Sequence, residues 1–477
     1  MSMSGRIARR YRVAHLHQPE GWLSPAYVEV GYDGMIVSVD AEQPEHWNDF
    51  ERFDGYVLPG MVNLHSHAHQ RALAGRTEFI GAHSAASADD FWAWRSRMYE
   101  LAGVLDPDQF QAIAAQAYLE MLEVGYTSVG EFHYLHHDVN GQHYADAAEM
   151  SERVIAAANQ TGIGLTLLPV LYTHGGVGKP PSEGQRRFIF SDVEDFLRLL
   201  ADLKRHLENF PQLRIGVAPH SVRAVSAENF SQLFDGLHEA LPEGPIHIHV
   251  AEQTGEVAEC VAGLGATPGR WLLDRFPVDD RWTFIHATHC EPDELEELAQ
   301  RGATVGLCPI TEADLGDGIF PLVEYQRVGG RWGIGSDGNT VIDPTQELRL
   351  LEFGQRLTKQ HRAILVSPER ETTAHAGRRL FDLALAGGAH SLAQPVGVVQ
   401  PGMRADFIEL DPDHPALVSH SPDTVLDAWV FSGPSGAVRN VVAGGRWVVR
   451  DGHHVNAEII TRDFRTEMTA VAQAFGG

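Results

Sequence analysis

The sequence is poor in cysteine and has no long apolar segment. Its three cysteines, Cys260, Cys290 and Cys308, are an odd number without close spacing. They predict neither a disulfide framework nor a cysteine-rich zinc site, and such sparse cysteine is typical of a reducing compartment. No run of about 18 apolar residues predicts a membrane span, and residues 1–25 lack the apolar core of a signal peptide. We therefore expect a cytoplasmic protein.

Positive charge is also scarce. The 37 Lys and Arg residues are outnumbered by 64 Asp and Glu residues, which gives a net charge of −27. This excess argues against nucleic acid and against an anionic membrane as a partner, because both are bound by basic surfaces. An apolar fraction of 43% and a charged fraction of 21% are typical of a soluble globular protein.

Apolar runs alternate with helix-like segments between residues 58 and 340. Residues 106–125, 192–210 and 291–302 show helical patterns with acidic starts, and residues 344–392 also look helical. Repeated strand–helix alternation predicts a parallel (β/α)8 barrel of the TIM type. An open doubly wound sheet is the alternative, although no GxGxxG follows the first strand. The eight predicted strands are VLPGMVNLHSH, TSVGEFHY, IGLTLLPVLY, RIGVAPHS, PIHIHVAEQ, WTFIHATH, ATVGLCP and RWGIGSDG.

The two ends of the chain have a different pattern. Short alternating runs such as AYVEVGYDGMIVSV near the start and VRNVVAGGRWVVRDG near the end predict antiparallel strands around turns. We therefore predict a small β-sandwich domain built from residues 1–57 and 393–462. Residues 58–392 would form the metal-dependent catalytic barrel.

Polar and ionisable residues stand where the predicted barrel strands end. In such a barrel these ends meet at one face, where active sites are built. His65 and His67, two residues apart on a strand, face the same side and can grip one ion. With His249 and Asp337 at other strand ends, they offer three imidazoles and a carboxylate. This ligand set suits Zn²⁺, with Fe²⁺ or Mn²⁺ as alternatives.

His247 competes with His249 for the ligand position, since both lie in IHIHVAEQ. The segment that follows His249 places the carboxylate of Glu252 just beyond the strand, close to the predicted metal. We therefore predict that His249 is the ligand and that His247 is a packed core histidine.

At these positions the sequence resembles the amidohydrolase superfamily. The resemblance rests on LPGMVNLHSHAHQRALAG, on HVAE, on the strand of His286 and on GSD, and it runs from about residue 10 to 455. FWAWRSRMY, APHSVRAV, HIHVAEQ and LCPITEADLGDG are similar to the branch of deiminases that act on N-formimino-L-glutamate. Three positions depart from that branch: His69 replaces a usual Phe, Asp314 an Asn, and Gly338 a Ser.

The resemblance implies hydrolysis of N-formimino-L-glutamate to N-formyl-L-glutamate and ammonia, a step of histidine degradation. It implies that His65, His67, His249 and Asp337 hold the metal and that Asp337 accepts a proton from the attacking water. Glu252 would carry a proton to the leaving nitrogen, and His286 would stabilise the tetrahedral intermediate.

Binding this substrate requires local positive charge, because it carries two carboxylates and the protein has a net charge of −27. Arginine suits a carboxylate because its fork bonds both oxygens. The candidates for substrate binding are Gln70, Arg95, Tyr134, His220 and Arg223.

Two other functions stay open. A deaminase of an aminopurine or a related heterocycle would need an aromatic slot without paired arginines, and a non-catalytic barrel would have lost its ligands. The resemblance also implies a homodimer, with the Trp-rich segment WAWRSRMY of residues 92–99 as a candidate interface. Two-metal relatives commonly use a carbamylated lysine, and none of Lys179, Lys204 and Lys359 follows a suitable strand, so we predict one metal per subunit.

Overall fold

The computed structural model of the chain describes residues 7–45, 47–78, 91–366, 374–433 and 435–475. The strands are β1 (Ile7–Gln18), β2 (Gly21–Leu23), β3 (Ala26–Gly31), β4 (Ile36–Asp40), β5 (Glu51–Pro59), β6 (Met61–Ser66), β7 (Tyr126–His133), β8 (Gly164–Leu171), β9 (Leu213–Ile215), β10 (Ala218–Pro219), β11 (Ile246–Val250), β12 (Trp282–His286), β13 (Thr304–Leu307), β14 (Arg331–Ile334), β15 (Phe407–Leu410), β16 (Val438–Ala443), β17 (Arg446–Arg450) and β18 (His453–His454). The helices are α1 (Phe91–Ala102), α2 (Pro107–Glu123), α3 (Glu149–Thr161), α4 (Val193–Leu203), α5 (Ala227–Ala240), α6 (Thr254–Leu264), α7 (Pro268–Arg275), α8 (Pro292–Arg301), α9 (Pro309–Asp314), α10 (Leu322–Arg327), α11 (Pro344–Lys359), α12 (Ala376–Ser391), α13 (Val425–Ser432) and α14 (Ala457–Phe475).

Strands β6 to β14 form a closed parallel barrel. Each strand pairs in parallel with the next, and the fourth position is shared by the short strands β9 and β10. Isolated parallel bridges between Val217 and Ile246 and between Ser66 and Asp337 complete the ring. The predicted (β/α)8 barrel is therefore confirmed, all eight predicted strands are present, and the alternative of an open doubly wound sheet is wrong.

Leu64 shows how the barrel interior is packed. A Cβ at Gly306 or Gly333 would lie only 2.6 or 2.5 Å from a methyl carbon of Leu64. Two neighbouring strands therefore need glycine so that this one large side chain can fill the centre.

The predicted helices form where local signals start and stop them. Asp106 and Gln109 make a capping box at the start of α2, and Gly302 ends α8 in the left-handed conformation with φ 75°. Helix α4 ends at Leu203 and a 3₁₀ turn follows, so the predicted helix to residue 210 was too long. Leu203 is the last buried apolar residue of the helix, and Leu207, the next apolar residue of the predicted pattern, is exposed.

Strands from both ends of the chain join in one nine-stranded sheet, in the order β18-β17-β16-β15-β5-β1-β3-β4, with β2 beside β1. The junction is the antiparallel pair β5–β15, in which Leu58 lies opposite Ile408. The sheet has its own apolar cluster, which includes Tyr11, Phe53 and Phe407. We retain the division into a small sandwich domain (1–57 with 393–462) and a catalytic barrel (58–392) as a proposal.

Two helices near the C-terminus were not predicted. Helix α13 lies between β15 and β16, and α14 packs against α2 through the buried Ile460 and a hydrogen bond from Thr461 Oγ1 to Gln116 Oε1 of 3.1 Å. Among the described residues, none of the helices has the length and apolar character needed to cross a membrane.

Candidate active site

Three histidines and an aspartate converge at the carboxyl ends of the barrel strands. His65 is the penultimate residue of β6, His67 follows that strand, His249 lies in β11 and Asp337 follows β14. His65 Nε2 lies 3.2 Å from His249 Nε2 and 3.4 Å from Asp337 Oδ1, and His67 Nε2 lies 3.3 Å from the same oxygen. His65, His67 and His249 also form a group whose ligand atoms all lie within 4.8 Å of one another.

These separations fit a metal ion. Four ligands at about 2.0–2.1 Å in a tetrahedron lie about 3.3 Å from one another. Burial lowers the pKa of His65 to about 3 and also lowers the pKa values of His67 and His249, so the imidazoles are neutral and their lone pairs are available. Burial alone would raise the pKa of Asp337, but its hydrogen bond to His65 and its electrostatic interactions with His65, His67 and His286 bring the pKa below its usual value.

Hydrogen bonds and unusual backbone conformations fix the site. His67 Nδ1 lies 2.9 Å from the carbonyl oxygen of Phe132, which turns Nε2 towards the cluster. Asp337 and His286 both have left-handed backbone, with φ of 44° and 66°. Non-glycine residues in this conformation are strained and are common at functional sites. Asn339 Nδ2 donates to the carbonyl oxygens of Asp337 and His67 at 3.0 and 3.1 Å, which ties the two strand ends together.

Glu252 follows β11 and His286 ends β12, and both side chains lie beside the cluster. His286 Nε2 lies 3.8 Å from Glu252 Oε1 and 3.7 Å from Asp337 Oδ2. Burial raises the pKa of Glu252 to about 7, which suits a group that both accepts and gives a proton near neutrality. The charges of Glu252, Glu312 and Asp337 outweigh burial and raise the pKa of His286, so it is a cationic donor.

Glu312 is a positioning residue that the sequence did not reveal. Its Oε1 lies 3.2 Å from His286 Nδ1 and accepts the peptide N–H of Cys308 at 2.8 Å. Glu312 therefore holds the His286 ring at Nδ1, which leaves Nε2 facing Glu252 and Asp337. The segment LCPITEADLGDG indicated the resemblance to the deiminase branch, but it did not single out Glu312. Cys308 is buried, and burial raises the pKa of its thiol, so we assign it no reactive role.

The five candidate substrate-binding residues line the same cavity as the cluster. Gln70 Nε2 donates to the Tyr134 hydroxyl at 2.8 Å, and the ring of His220 lies 4.4 Å from that of Tyr172. Arg223 is buried and Arg95 lies 5.5 Å from the ring of Tyr99. The lining residues are His67, Gln70, Phe91, Trp94, Arg95, Met98, Tyr99, Tyr134, Tyr172, Phe188, His220, Arg223, His249, Glu252, His286, Leu315 and Asp337.

His247 lies outside this cavity. Its Nε2 donates to the carbonyl oxygen of Ser391 at 3.0 Å, and the side chain is fully buried. This is the environment expected of a packed core histidine.

The three departures from the branch pattern have different environments. His69 is buried with its ring 5.0 Å from that of Tyr134. Burial raises the pKa of Asp314 to about 6, and the neighbouring carboxylate of Glu78 contributes to this increase. At Gly338, a Cβ would lie 3.2 Å from Gln70 Oε1, so the glycine leaves room for a predicted substrate-binding residue.

Known proteins resemble the chain over most of its length. The model of the amidohydrolase family matches residues 56–448. The chain is 46% identical over 447 residues to the formimidoylglutamate deiminase of Pseudomonas aeruginosa, which covers 94% of this chain and 96% of that protein. Among solved structures, an amidohydrolase from Brucella melitensis has a TM-score of 0.89 and 42% identity and covers 97% of this chain and 100% of that one. An adenosine deaminase from Xanthomonas campestris with bound zinc has a TM-score of 0.77 and 20% identity and covers 98% and 99%.

Proposed function

Because the chain belongs to the amidohydrolase family, we propose that it catalyses the metal-dependent hydrolysis of N-formimino-L-glutamate to N-formyl-L-glutamate and ammonia. The observation that carries this proposal is one cavity that combines the histidine–aspartate cluster with Arg95 and the buried Arg223. A cluster of this kind suits hydrolysis of a C=N bond, and two guanidinium groups suit a substrate with two carboxylates.

We propose one zinc ion per subunit, held by His65, His67, His249 and Asp337, with iron or manganese as alternatives. Zinc is bound in the structurally similar adenosine deaminase. The bound metal would supply a water acidic enough to attack a carbon centre at neutral pH. A second metal would need a bridging lysine, and no lysine is among the described residues that line the cavity. Lys179 lies outside the cavity, where it pairs with Glu259 at 2.7 Å.

The protein's own residues would move the protons. Asp337 Oδ1 faces His65 and His67, whereas Oδ2 faces His286 at 3.7 Å, so we propose that Oδ2 takes a proton from the attacking water. Glu252 would then deliver a proton to the leaving nitrogen, which departs as ammonia. His286, as a cation, would donate from Nε2 to the oxygen that carries the developing charge.

Substrate binding would use the other polar residues that line the cavity. Arg223 and Arg95 would hold carboxylates, and His220, Tyr134 and Gln70 would add hydrogen bonds. The cavity has aromatic walls, as the aminopurine alternative would require. That alternative also required a cavity without paired arginines, whereas both Arg95 and Arg223 line this one. The scaffold alternative required lost ligands, and all four are in place. We also propose a cytoplasmic homodimer.

A substrate panel tests the proposal. Ammonia release is measured for N-formimino-L-glutamate, N-formimino-L-aspartate, guanine and adenosine under the same conditions. We expect the highest kcat/KM for N-formimino-L-glutamate and little turnover of either purine compound. A higher kcat/KM for guanine or adenosine would overturn the proposal in favour of a purine deaminase.

A further inference from the structure

We infer that Glu256 is a positioning residue that sets both the predicted substrate-binding Arg223 and the predicted proton carrier Glu252. This inference rests on the proposed function, because it concerns how two residues of that reaction are held. Glu256 lies in the first turn of α6, four residues after Glu252, and only 1% of it is exposed.

The side-chain carboxylate of Glu256 contacts both Glu252 and Arg223. Its Oε2 accepts the peptide N–H of Glu252 at 3.0 Å, while its Oε1 lies 3.3 Å from Nε of Arg223. Arg223 follows β10 and Glu252 follows β11, so the two contacts connect the ends of two neighbouring barrel strands. Displacement of Glu256 would therefore disturb substrate binding and proton transfer together.

The contact with Arg223 is an ion pair through Nε, and neither Nε nor Glu256 Oε1 has a hydrogen-bond partner among the described residues. A guanidinium has five N–H donors in a fixed fork, and contact through Nε leaves the two terminal nitrogens to bond both oxygens of a carboxylate. Arg223 is only 5% exposed, and Glu256 is the carboxylate in ion-pair contact with it among the described residues. Loss of this partner would leave a buried cation uncompensated and free to change its orientation.

The contact with Glu252 holds a strained turn. Ala251, directly before Glu252, has a left-handed backbone with φ 51°, and the peptide N–H of Glu252 points to Glu256. Without an acceptor this buried N–H would be unsatisfied, and the turn that aims the Glu252 side chain at the cluster would lose its support.

Two substitutions separate these contacts. Glu256→Gln keeps an oxygen that can accept from the Glu252 N–H but presents no negative charge to Arg223. Glu256→Ala removes both contacts. We expect Glu256→Gln to raise KM for N-formimino-L-glutamate by about tenfold or more with a smaller loss of kcat, and Glu256→Ala to lower kcat by a further tenfold or so. Glu259→Gln, the same replacement on α6 at a residue that pairs with Lys179 outside the cavity, is the matched control and should resemble wild type.

A double variant tests whether Glu256 acts through Arg223. If it does, adding Glu256→Gln to Arg223→Met should raise KM no further, whereas independent residues would give multiplied effects. Metal content and thermal melting are measured for every variant. A wild-type KM in Glu256→Gln, or an equal KM increase with and without Arg223, would overturn the inference.

Stability separates a positioning role from a structural one. If Glu256→Gln unfolds and the double variant refolds with wild-type metal content, the pair is structural and the inference fails. Wild-type protein without turnover of N-formimino-L-glutamate would instead refute the proposed function and the role of Glu256 with it.

Discussion

Replacement of Glu252 by glutamine should leave the metal in place and abolish most turnover. Glutamine preserves the shape of the side chain but cannot carry a proton. Glu252 is buried, its Oε1 lies 3.8 Å from His286 Nε2, and it lies outside the histidine–aspartate cluster. Metal content should therefore remain near the wild-type value.

The size of the loss follows from what else lines the cavity. Glu252 and Asp337 are the two carboxylates among the described lining residues, and Asp337 is a predicted metal ligand. The cavity thus holds no second free carboxyl group that could replace Glu252. We expect the full contribution of a general acid–base group, a fall in kcat of about 10²–10⁴-fold, which corresponds to about 2.7–5.4 kcal/mol.

The assay is steady-state ammonia release with metal content measured on the same samples. Glu259→Gln serves as the control, because it makes the same chemical change on α6 outside the cavity. A Glu252→Gln variant that keeps its metal and has wild-type kcat would refute the assignment of Glu252 as the proton carrier.

Four further predictions test other parts of the account. Arg223→Met should cost about 2–5 kcal/mol, a loss in kcat/KM from about 30-fold to several thousand-fold, with metal content unchanged; intact activity would contradict carboxylate binding by Arg223. Burial lowers the pKa of His137 to about 4, so the unfolded chain binds the extra proton, and the free energy of unfolding should fall as the pH drops from 6.5 to about 4. In urea titrations, His137→Gln should reduce this decrease in the free energy of unfolding by up to about 3 kcal/mol. A variant whose free energy of unfolding depends on pH as in the exposed control His453→Gln would contradict this prediction. Metal analysis should find one equivalent per subunit rather than two. Light scattering at micromolar concentration should report a dimer, and a monomer would contradict the proposed assembly.

The sequence predicts the barrel well because its strands are buried on both faces. Such strands are continuous apolar runs, and the polar residues that end them stand out, as His65, His67 and Asp337 do. Helices α13 and α14 were missed because they lie in or directly after a region with the alternating pattern of strands. For α14 the signal was present, since its apolar residues recur every three or four positions, but the predicted sandwich domain was extended to residue 462 and so took in its first residues.

The residues that support the site were much harder to predict than those that line it. Glu312 contacts His286 from another element, and Glu256 contacts Arg223 across two strand ends. Along the sequence each is a glutamate near the start of a helix, which is usually an exposed position favoured by the helix dipole. Only the tertiary fold shows that both carboxylates are buried and aimed at functional side chains.

The proposed reaction requires a metal and forms two products in equal amounts. Purified protein is stripped with a chelator, one half is reloaded with zinc, and both halves are incubated with N-formimino-L-glutamate while N-formyl-L-glutamate and ammonia are quantified. We predict equal amounts of the two products from the reloaded protein and almost none from the stripped protein. Undiminished product formation in the stripped protein, or no N-formyl-L-glutamate from protein that has bound zinc, would contradict the account.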